Sequence, residues 1–568
     1  MKKILITSVL ALCGTVAFSQ SVSDALTFGV NDYEGSARTV AMGNAFTAVG
    51  GDLGAISINP AGAAVARVSQ FSVTPSAYLS VNTAQGSLLP DGTAPFGKKI
   101  RSRDGRLGCS NVGFSLNFNT GRNRGLKNWT VGLVWNSTQT FADGMYAQGT
   151  NYTTSFTGSL ASDASGILQD GNYDGYNSAN MSYDSGIPYN IVAAYKAGLI
   201  SNLPGTTTGY VGAAENLFED GSASIGKNGL EQYMGRRIRG NKKNAVMNFG
   251  FNFSDIVYFG VNAGYNNLNY KSEEYLREDA VELSDVVISY GDGRSYNFST
   301  TKRNYAYKAD ATGFDFKLGL IVTPVAGLRL GVALGMPSLY KMTESIDNAA
   351  SLSLLHTDSS TSASDIHNTE KAPTQQYKYW YRSPLEANFG VAYTFGRFAL
   401  VSLDYEVCDY STMRFTSSSS SSDGYDDFAD LNSELTKYAG TAHYLRTGFE
   451  LRPLNWLSVR GGYNLATSPE YSWNIDTEKK ERLNGNIHTA SLGVGFTTSS
   501  GWFFDLAAKT KWYRDEYIIP YSDYVFQTDA DGNYLVDGDG MKIVNSYTPE
   551  IVNRKRLFSF FFTFGLKW

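Results

Sequence analysis

The last fifteen residues of the chain, Arg554–Trp568, read RKRLFSFFFTFGLKW and alternate between two chemical faces. One face carries a large apolar side chain at every second position: Phe558, Phe560, Phe562, Phe564, Leu566 and Trp568. The other face carries Ser559, Phe561, Thr563, Gly565 and Lys567. Successive side chains of a β-strand point to opposite sides, so one face of this strand needs an apolar environment. The stretch therefore predicts a transmembrane β-strand rather than a strand of an ordinary sandwich.

The amino-terminal residues 1–19 have the pattern of a secretory signal peptide. Lys2 and Lys3 precede the apolar stretch Ile4–Phe18, and Ala17-Phe18-Ser19 has the small-x-small form of a cleavage site. We expect the mature chain to begin near Gln20. Beyond this segment, no stretch approaches the roughly 18 consecutive apolar residues that a membrane helix needs.

The composition agrees with a membrane barrel. Hydrophobic residues make up 42% and charged residues 18% of the chain, which contains 58 Gly, 37 Tyr and 32 Phe. Aromatic residues at this level are typical of the girdles at the membrane interfaces of such barrels. The formal net charge of −5 is small for 568 residues and indicates no nucleic-acid partner.

Alternating segments recur along the whole chain. They begin near residues 68, 109, 127, 244, 256, 301, 326, 375, 396, 440, 455, 485, 501 and 555. Short connections alternate with long ones, which lie near residues 84–108, 142–243, 271–300, 346–374, 412–439, 469–484 and 516–554. An even strand count with short turns at one rim and long loops at the other is the outer-membrane pattern. The sequence therefore predicts an all-β, antiparallel transmembrane barrel of about 14 strands with long extracellular loops.

Charged residues inside the strands indicate which face meets the lumen. Asp505, Lys509 and Lys511 alternate with apolar residues between Trp502 and Trp512. Charges facing lipid are costly, so we expect these three side chains to point inward. Cys109 and Cys408 fall on the second and ninth strands, on opposite walls, and we expect both thiols to be unpaired.

Two of the long loops contain helical periodicity. Pro188 can begin a helix in which Ile191, Val192, Tyr195, Leu199 and Ile200 recur at helical spacing. Phe428, Leu431, Leu435 and Tyr438 repeat the pattern in a second loop. Either these residues form a cap that packs on itself, or they form an apolar patch at the mouth of the barrel. The Ser-rich stretches 351–372 and 417–422 are typical of mobile surface.

Residues 24–66 do not alternate. The run from Ser36 to Val49 is rich in small residues and contains Met42-Gly43, and Asp52 precedes the step Asn59-Pro60-Ala61-Gly62. Small residues permit a compact segment to thread inside a barrel, and Pro60 pushes Asn59 out of the helical region and fixes a corner. The alternative is a surface leader that only starts the first strand.

On this motif, the strand count, the loop alternation and the terminal Trp568, the chain resembles the FadL/OmpP1/TodX family of outer-membrane transport proteins. Within that family it is similar to the hemin-receptor-like branch. The resemblance implies a fourteen-stranded barrel plugged by an amino-terminal hatch, with residues 20–66 as the hatch and 67–568 as the barrel. The gate residues would be Asn59, Pro60, Ala61 and Gly62. Loop 142–243 is longer than in the prototype of the family.

Little in the chain indicates catalysis or metal binding. His356 and His367 share a loop and could ligate haem iron, or they could be solvated loop residues. Asp529, Asp531, Asp537 and Asp539 gather oxygen ligands suited to calcium, but Tyr534 stands where an EF-hand needs Gly, and two Asp/Gly turns explain the motif as well. We expect a protein that is not an enzyme and that has no cofactor or metal.

The resemblance implies diffusive uptake of hydrophobic small molecules, with long-chain fatty acids as the prototype, across the outer membrane of a Gram-negative bacterium. The expected partners are outer-membrane lipid and a hydrophobic ligand, and the expected oligomeric state is a monomer. The alternative function is a barrel whose long loops bind secreted or surface proteins. A third possibility, a structural barrel or adhesin, rests only on the length of the loops.

Overall fold

The computed structural model describes residues 21–89, 91–169, 181–184, 186–203, 209–218, 223–289, 293–357, 364–418, 428–474, 479–482, 485–526 and 544–568. The expected signal peptide and the Asp529–Asp539 motif lie outside these residues. Within the described ranges, no helix is both long and apolar enough to cross a membrane.

Within the part of the chain described, fourteen antiparallel strands form one closed wall. Their bounds are β1 Gln70–Gly86, β2 Ile100–Asn119, β3 Leu126–Asn151, β4 Leu230–Phe253, β5 Val257–Ala280, β6 Ser295–Val325, β7 Leu328–Gly335 with Leu339–His356, β8 Gln375–Arg382 with Leu385–Phe395, β9 Ala399–Asp409 with Arg414–Ser417, β10 Thr441–Leu454, β11 Leu457–Ala466, β12 Ile487–Thr497, β13 Trp502–Trp512 and β14 Ile551–Lys567. The last strand pairs with the first from Gln70↔Lys567 to Gly86↔Ile551, which closes the barrel. The predicted fold class is thereby confirmed.

The faces of β14 are those that the alternation predicts. Phe560 and Trp568 expose 53% and 57% of their surface on the outside, whereas Thr563 and Ser559 are fully buried on the inside. Outward apolar side chains recur on the neighbouring strands and form a continuous belt. Such a belt around a closed barrel defines a transmembrane barrel of the outer-membrane type, with its long loops at the outer rim.

Three strands begin earlier than the alternation predicts. The starts of β2, β4 and β6 lie at residues 100, 230 and 295, against expected starts near 109, 244 and 301. Above the apolar belt the outward face is no longer apolar, so the two-residue hydrophobic period disappears while the backbone pairing continues. The stretch 351–372, expected as mobile surface, contains paired strand on both sides, because Ser351 pairs with Lys302 and Ile366–Lys371 form a strand beside β7. Its residues 358–363, and residues 419–422 of the second Ser-rich stretch, lie outside the described residues.

The amino-terminal segment lies inside the barrel. It contains helix α1 (Val22–Gly29), helix α2 (Ala37–Ala41), a 3₁₀ turn (Leu53–Ala55) and helix α3 (Gly62–Val65). Ser21 caps α1 by accepting a hydrogen bond from the Asp24 amide, and the Asp24 carboxylate accepts one from the Ser21 amide. This reciprocal capping box stabilises a helix of only eight residues.

A cap of loop structure covers the long-loop rim. Its helices are α4 (Phe156–Gln169), α5 (Tyr189–Ala197) and α6 (Ala429–Tyr438). Short strands accompany them at Ile200–Asn202, Tyr210–Gly212, Glu215–Leu217, Ala223–Ile225, Val287–Ser289, Ile366–Lys371, Tyr471–Asn474, Lys479–Arg482, Glu516–Ile518, Tyr524–Phe526 and Val544–Ser546. Ile191, Val192, Leu199 and Ile200 are buried in one apolar cluster with other cap residues and with residues of β6 and β7, so they do not form an exposed patch. Leu199 and Ile200 lie just beyond the end of α5 and not in the helix as predicted.

Candidate functional site

The lower lumen, near the short turns, is filled by the backbone of residues 36–66. This backbone approaches the wall at glycines of seven strands, where an added Cβ would come within 3.0 Å of the segment. We call this set the glycine girdle: Gly260, Gly319, Gly331, Gly390, Gly448, Gly462 and Gly493. Several are direct cross-strand partners, as in Gly260↔Gly319 and Gly448↔Gly462. The girdle therefore leaves a recess in the wall into which the amino-terminal segment fits.

The four residues assigned to the gate lie in this recess. The Asn59 side-chain amide donates to the Thr47 carbonyl at 2.6 Å, and its Oδ1 accepts from the Ala61 amide at 3.0 Å. The carbonyl of Pro60 accepts from Asn248 of β4 at 3.1 Å. The Gly62 carbonyl accepts from the Gly51 amide at 2.8 Å. The Asn-Pro corner is thus tied both to the wall and to the rest of the segment.

Ion pairs fasten the segment to the opposite side of the wall. Lys511 Nζ lies 2.6 Å from Asp32, and Arg38 Nε lies 2.8 Å from Glu450. Glu450 also pairs with Arg460 of β11 at 2.7 Å. The prediction that Asp505, Lys509 and Lys511 point inward is confirmed, because all three side chains are buried. Lys509 and Lys511 meet Glu34 and Asp32 of the amino-terminal segment, hundreds of residues away in sequence. Asp505 instead pairs with Arg460 of β11.

The upper lumen has a different chemistry. Helix α1 sits in a chamber of buried, mostly aromatic residues that we call the tyrosine chamber. Its walls include Tyr307, Tyr340, Met342, Tyr379, Tyr381, Tyr410, Phe415 and Tyr444. Ala25, Leu26 and Phe28 of α1 belong to the same buried cluster. Phe428 and Leu435 of the second predicted loop helix complete it from above.

Polar contacts between α1 and the chamber are few. The Tyr381 hydroxyl donates to the Ala25 carbonyl at 3.0 Å. Lys242 Nζ, buried on the inner face of β4, donates to the carbonyls of Phe28 at 2.8 Å and Val30 at 3.2 Å. The hydroxyls of Tyr307 and Tyr379 both donate to Glu344 instead, so the wall satisfies most of its own polar groups.

The wall is interrupted between β2 and β3. Backbone pairing of these strands runs only from Asn111↔Asn136 to Asn119↔Asn128, although both strands continue upward. Above it, side chains make most of the contacts, as where Ser102 donates to the Gly144 carbonyl at 2.7 Å. Near the upper end, the Lys98 amide donates one backbone hydrogen bond to the Gln148 carbonyl at 3.1 Å. A cavity of about 440 Å³ opens beside this seam and is lined by Asp104, Tyr146 and Arg236 among others.

The histidines proposed for haem lie at the outer rim. His367 Nδ1 is 2.6 Å from the Ser353 hydroxyl, and the ring of His356 packs edge-on against Tyr296. Among the residues described, no group of three or more His, Cys, Asp or Glu side chains is placed to hold a metal ion. Cys109 is exposed on β2 and Cys408 is buried on β9, the two strands predicted for them.

Sequence reasoning missed the girdle and the tyrosine chamber. A signal for the girdle was present, because Gly462 falls in the same phase as Arg460 and Asn464, the lumen-facing phase of β11. Glycine on the lumen side has no packing role of its own, so it indicates a close backbone approach. The chamber has no comparable local signal, because its tyrosines come from four different strands and from the 3₁₀ turn Tyr410–Thr412.

Comparison with known proteins gives similarity in fold only. No protein-family profile matches the chain, and no curated protein matches it. A FadL homologue from Pseudomonas aeruginosa is 11% identical, with a TM-score of 0.44 over 94% of this chain and 98% of that one. The toluene transporter TbuX of Ralstonia pickettii is 13% identical, with a TM-score of 0.42 over 94% and 98% of the two chains. The toluene transporter TodX of P. putida is 11% identical, with a TM-score of 0.41 over 94% and 99%.

These solved structures belong to the FadL and TodX group that the amino-terminal motif also resembles. The closed barrel is established by the strand pairing of this chain itself.

Proposed function

We propose that the protein is an outer-membrane conduit for the passive uptake of hydrophobic small molecules, and that the tyrosine chamber receives them. The observation that carries the proposal is the way in which α1 is held. Leu26 and Phe28 fill an apolar, aromatic space, and burial of apolar surface gives roughly 25 cal/mol per Å² to any occupant, whether helix or ligand. A hydrophobic molecule can therefore replace α1 without loss of that term.

The ligand class that suits the chamber is a long-chain amphiphile with an anionic end. Eight helical residues span about 12 Å, which defines an elongated space. When α1 leaves, the buried Lys242 ammonium loses the carbonyls of Phe28 and Val30 and needs a new acceptor. A carboxylate supplies it through a charge-assisted hydrogen bond, while the alkyl chain occupies the place of the helix.

The exit that we propose is sideways, through the seam between β2 and β3. The lower lumen is closed by residues 36–66, which the girdle and the ion pairs fix in place. Among the residues described, the upper seam has a single backbone bridge, between Lys98 and Gln148, in place of a ladder, so separation there costs fewer hydrogen bonds than displacement of the lower segment. Residues 36–66, including the Asn59-Pro60 corner, block the way down, and the ligand leaves sideways into the membrane. We call these residues the floor of the lumen.

Ligand binding is tested with the variant Lys242→Met and the control Lys243→Met. Lys243 is the next residue of β4 and has its ammonium 5.5 Å from the Trp135 ring on the outer face. We expect Lys242→Met to lose most of its affinity for a fatty acid but to keep its affinity for the matching fatty alcohol. Equal fatty-acid binding by both variants in native mass spectrometry would refute the carboxylate assignment, and a co-purifying polypeptide would favour the protein-binding function.

The lateral exit is tested by a reversible lock. An added Cβ at Gly144 would lie 2.9 Å from the Asp104 Cβ, close enough for a disulfide after a small adjustment. We expect Asp104→Cys with Gly144→Cys, in a Cys109→Ser background, to block flux of a fluorescent fatty acid into liposomes when oxidised. A reductant should restore the flux. Unchanged flux through a fully oxidised protein would show that ligands leave by another route.

A further inference from the structure

Outside the lumen, we propose that the outer face of β14, β1 and β2 binds the phosphate groups of a membrane lipid in the outer leaflet. Four arginines form this site: Arg101, Arg103, Arg554 and Arg556. Val81 of β1 pairs with Arg556 on one side and Arg103 on the other. Thr83 pairs in the same way with Arg554 and Arg101. The register therefore sets the arginines in two rows on either side of β1.

The spacing of the site follows from sheet geometry. Neighbouring strands lie about 4.8 Å apart, so the arginines of one row are separated by about 10 Å across β1. Successive rows lie two residues apart along the strand, which is about 7 Å. Guanidinium groups on flexible stems can close this distance onto phosphates placed between them, and each binds phosphate through two parallel hydrogen bonds.

All four arginines are exposed, and their charges are poorly compensated. Arg554 pairs with Asp515 at 3.2 Å, but both side chains are largely exposed to solvent. Arg101, Arg103 and Arg556 make no side-chain hydrogen bond or ion pair with the residues that the structure describes. Four cations held about 7–10 Å apart repel one another, and a bound anion removes that cost.

The height of the site on the wall identifies the anion as part of a lipid. Directly below the arginines lie Leu79, Leu107 and Phe560, with 38%, 82% and 53% of their surface exposed in the apolar belt. The arginines therefore stand where acyl chains end and head groups begin, at the rim with the long loops. A phosphorylated lipid contacts both zones at once, whereas free phosphate contacts only the arginines.

The row that contains Arg556 carries aromatic residues instead of arginine on the neighbouring strands β13 and β12. Arg556 pairs with Trp512 of β13, and Trp512 pairs with His488 of β12. His488 Nδ1 is 2.6 Å from the Tyr463 hydroxyl. Trp, Tyr and His are ordinary residues of an interfacial girdle. The concentration of arginine therefore ends at β14 and does not continue onto β13 and β12.

The test compares Arg103→Gln with Arg556→Gln against a matched control, Lys341→Gln with Lys378→Gln. Lys341 and Lys378 are exposed on β7 and β8, away from the site. In native mass spectrometry from mild detergent, we expect wild type and control to retain bisphosphorylated lipid A. Loss of two bidentate arginines should weaken retention by about tenfold or more.

Two measurements on the wild-type protein keep the test decisive even if the variant fails to fold. A dephosphorylated lipid A should be retained weakly, and inorganic phosphate should not displace the bisphosphorylated lipid. Equal retention of the dephosphorylated lipid, or equal retention by the arginine variant, would overturn the proposal. Displacement by inorganic phosphate at comparable concentration would also overturn it and would mark a site for free anions.

Discussion

The lower and upper lumen are filled by one continuous segment, yet they hold it by different forces. Residues 36–66 meet the wall through buried ion pairs, side-chain amides and close backbone contact at the glycine girdle. Helix α1 meets the wall through apolar and aromatic surface, with few polar contacts.

From this difference we infer which part of the segment can move. Hydrogen bonds and ion pairs are directional, and a lost partner leaves a buried polar group that no hydrophobic molecule can satisfy. Apolar contacts are non-directional, so a ligand of suitable shape substitutes for the helix. We therefore expect residues 36–66 to stay fixed in the lower lumen, and we propose that α1 in the upper lumen can be exchanged for a ligand.

The largest expected effect comes from removing the floor. Deletion of residues 24–58 removes Asp32, Arg38 and most of the backbone that fills the girdle, and we expect single-channel conductance in planar bilayers to rise well above wild type. Deletion of residues 21–30 alone removes only α1. It should raise fatty-acid binding and leave conductance low. Equal conductance of the two deletion variants would show that residues 36–58 do not block the lower lumen more than α1 blocks the upper lumen.

A substitution in the glycine girdle should displace residues 36–66 from the wall without deleting them. A Cβ at Gly462 would overlap the backbone of Met42 and Gly43, so Gly462→Val should displace the segment at a cost of about 1–3 kcal/mol or more. Gly105 lies in β2 with open space around an added Cβ, and Gly105→Ala is the control. We expect faster proteolysis of residues 36–66 in Gly462→Val only. Equal cleavage in the two variants would argue against close seating at the girdle.

The sequence predicts the wall well because the membrane imposes a simple rule. The faces of Phe560 and Thr563 and the inward direction of Lys511 all follow from a period of two and from the cost of charge in lipid. The partner of Lys511 does not follow, because Asp32 is 479 residues away and the contact depends on the closure of the barrel. The tyrosine chamber is unpredictable for the same reason, since it exists only when distant strands come together.

A smaller effect is expected from the ion pair between Asp32 and Lys511. Their side chains are 19% and 8% exposed, so Asp32→Asn leaves a mostly buried ammonium unpaired and should cost about 2–3 kcal/mol. Adding Lys511→Met should recover much of the loss. Glu273→Gln breaks an exposed pair with Lys271 and should cost no more than about 1 kcal/mol. The stability of the three variants is measured as the urea midpoint of unfolding in detergent. Equal midpoints for Asp32→Asn and Glu273→Gln would show that the pair of Asp32 and Lys511 does not stabilise the fold more than an exposed pair does.

The smallest expected effect is a pH dependence of the stability of the cap above the tyrosine chamber. The Glu215 carboxylate accepts from the Gly212 amide at 2.9 Å, and burial raises its pKa to about 7 from the ordinary glutamate value of 4.5. The folded cap therefore binds a proton that the unfolded chain releases, so its stability falls as pH rises from about 4.5 to about 7.

The loss is at most about 3 kcal/mol, and Glu215→Gln, which keeps the accepting oxygen, should abolish it. The exposed Glu282→Gln is the control. Hydrogen exchange of Tyr210–Gly212, corrected for intrinsic rates, should show weaker protection at about pH 8 than at about pH 5 in wild type and control. The floor should show no such change attributable to Glu215, because this carboxylate lies in the cap alone. If the pH response persists in Glu215→Gln, another group titrates, and Glu215 does not control the stability of the cap above the tyrosine chamber.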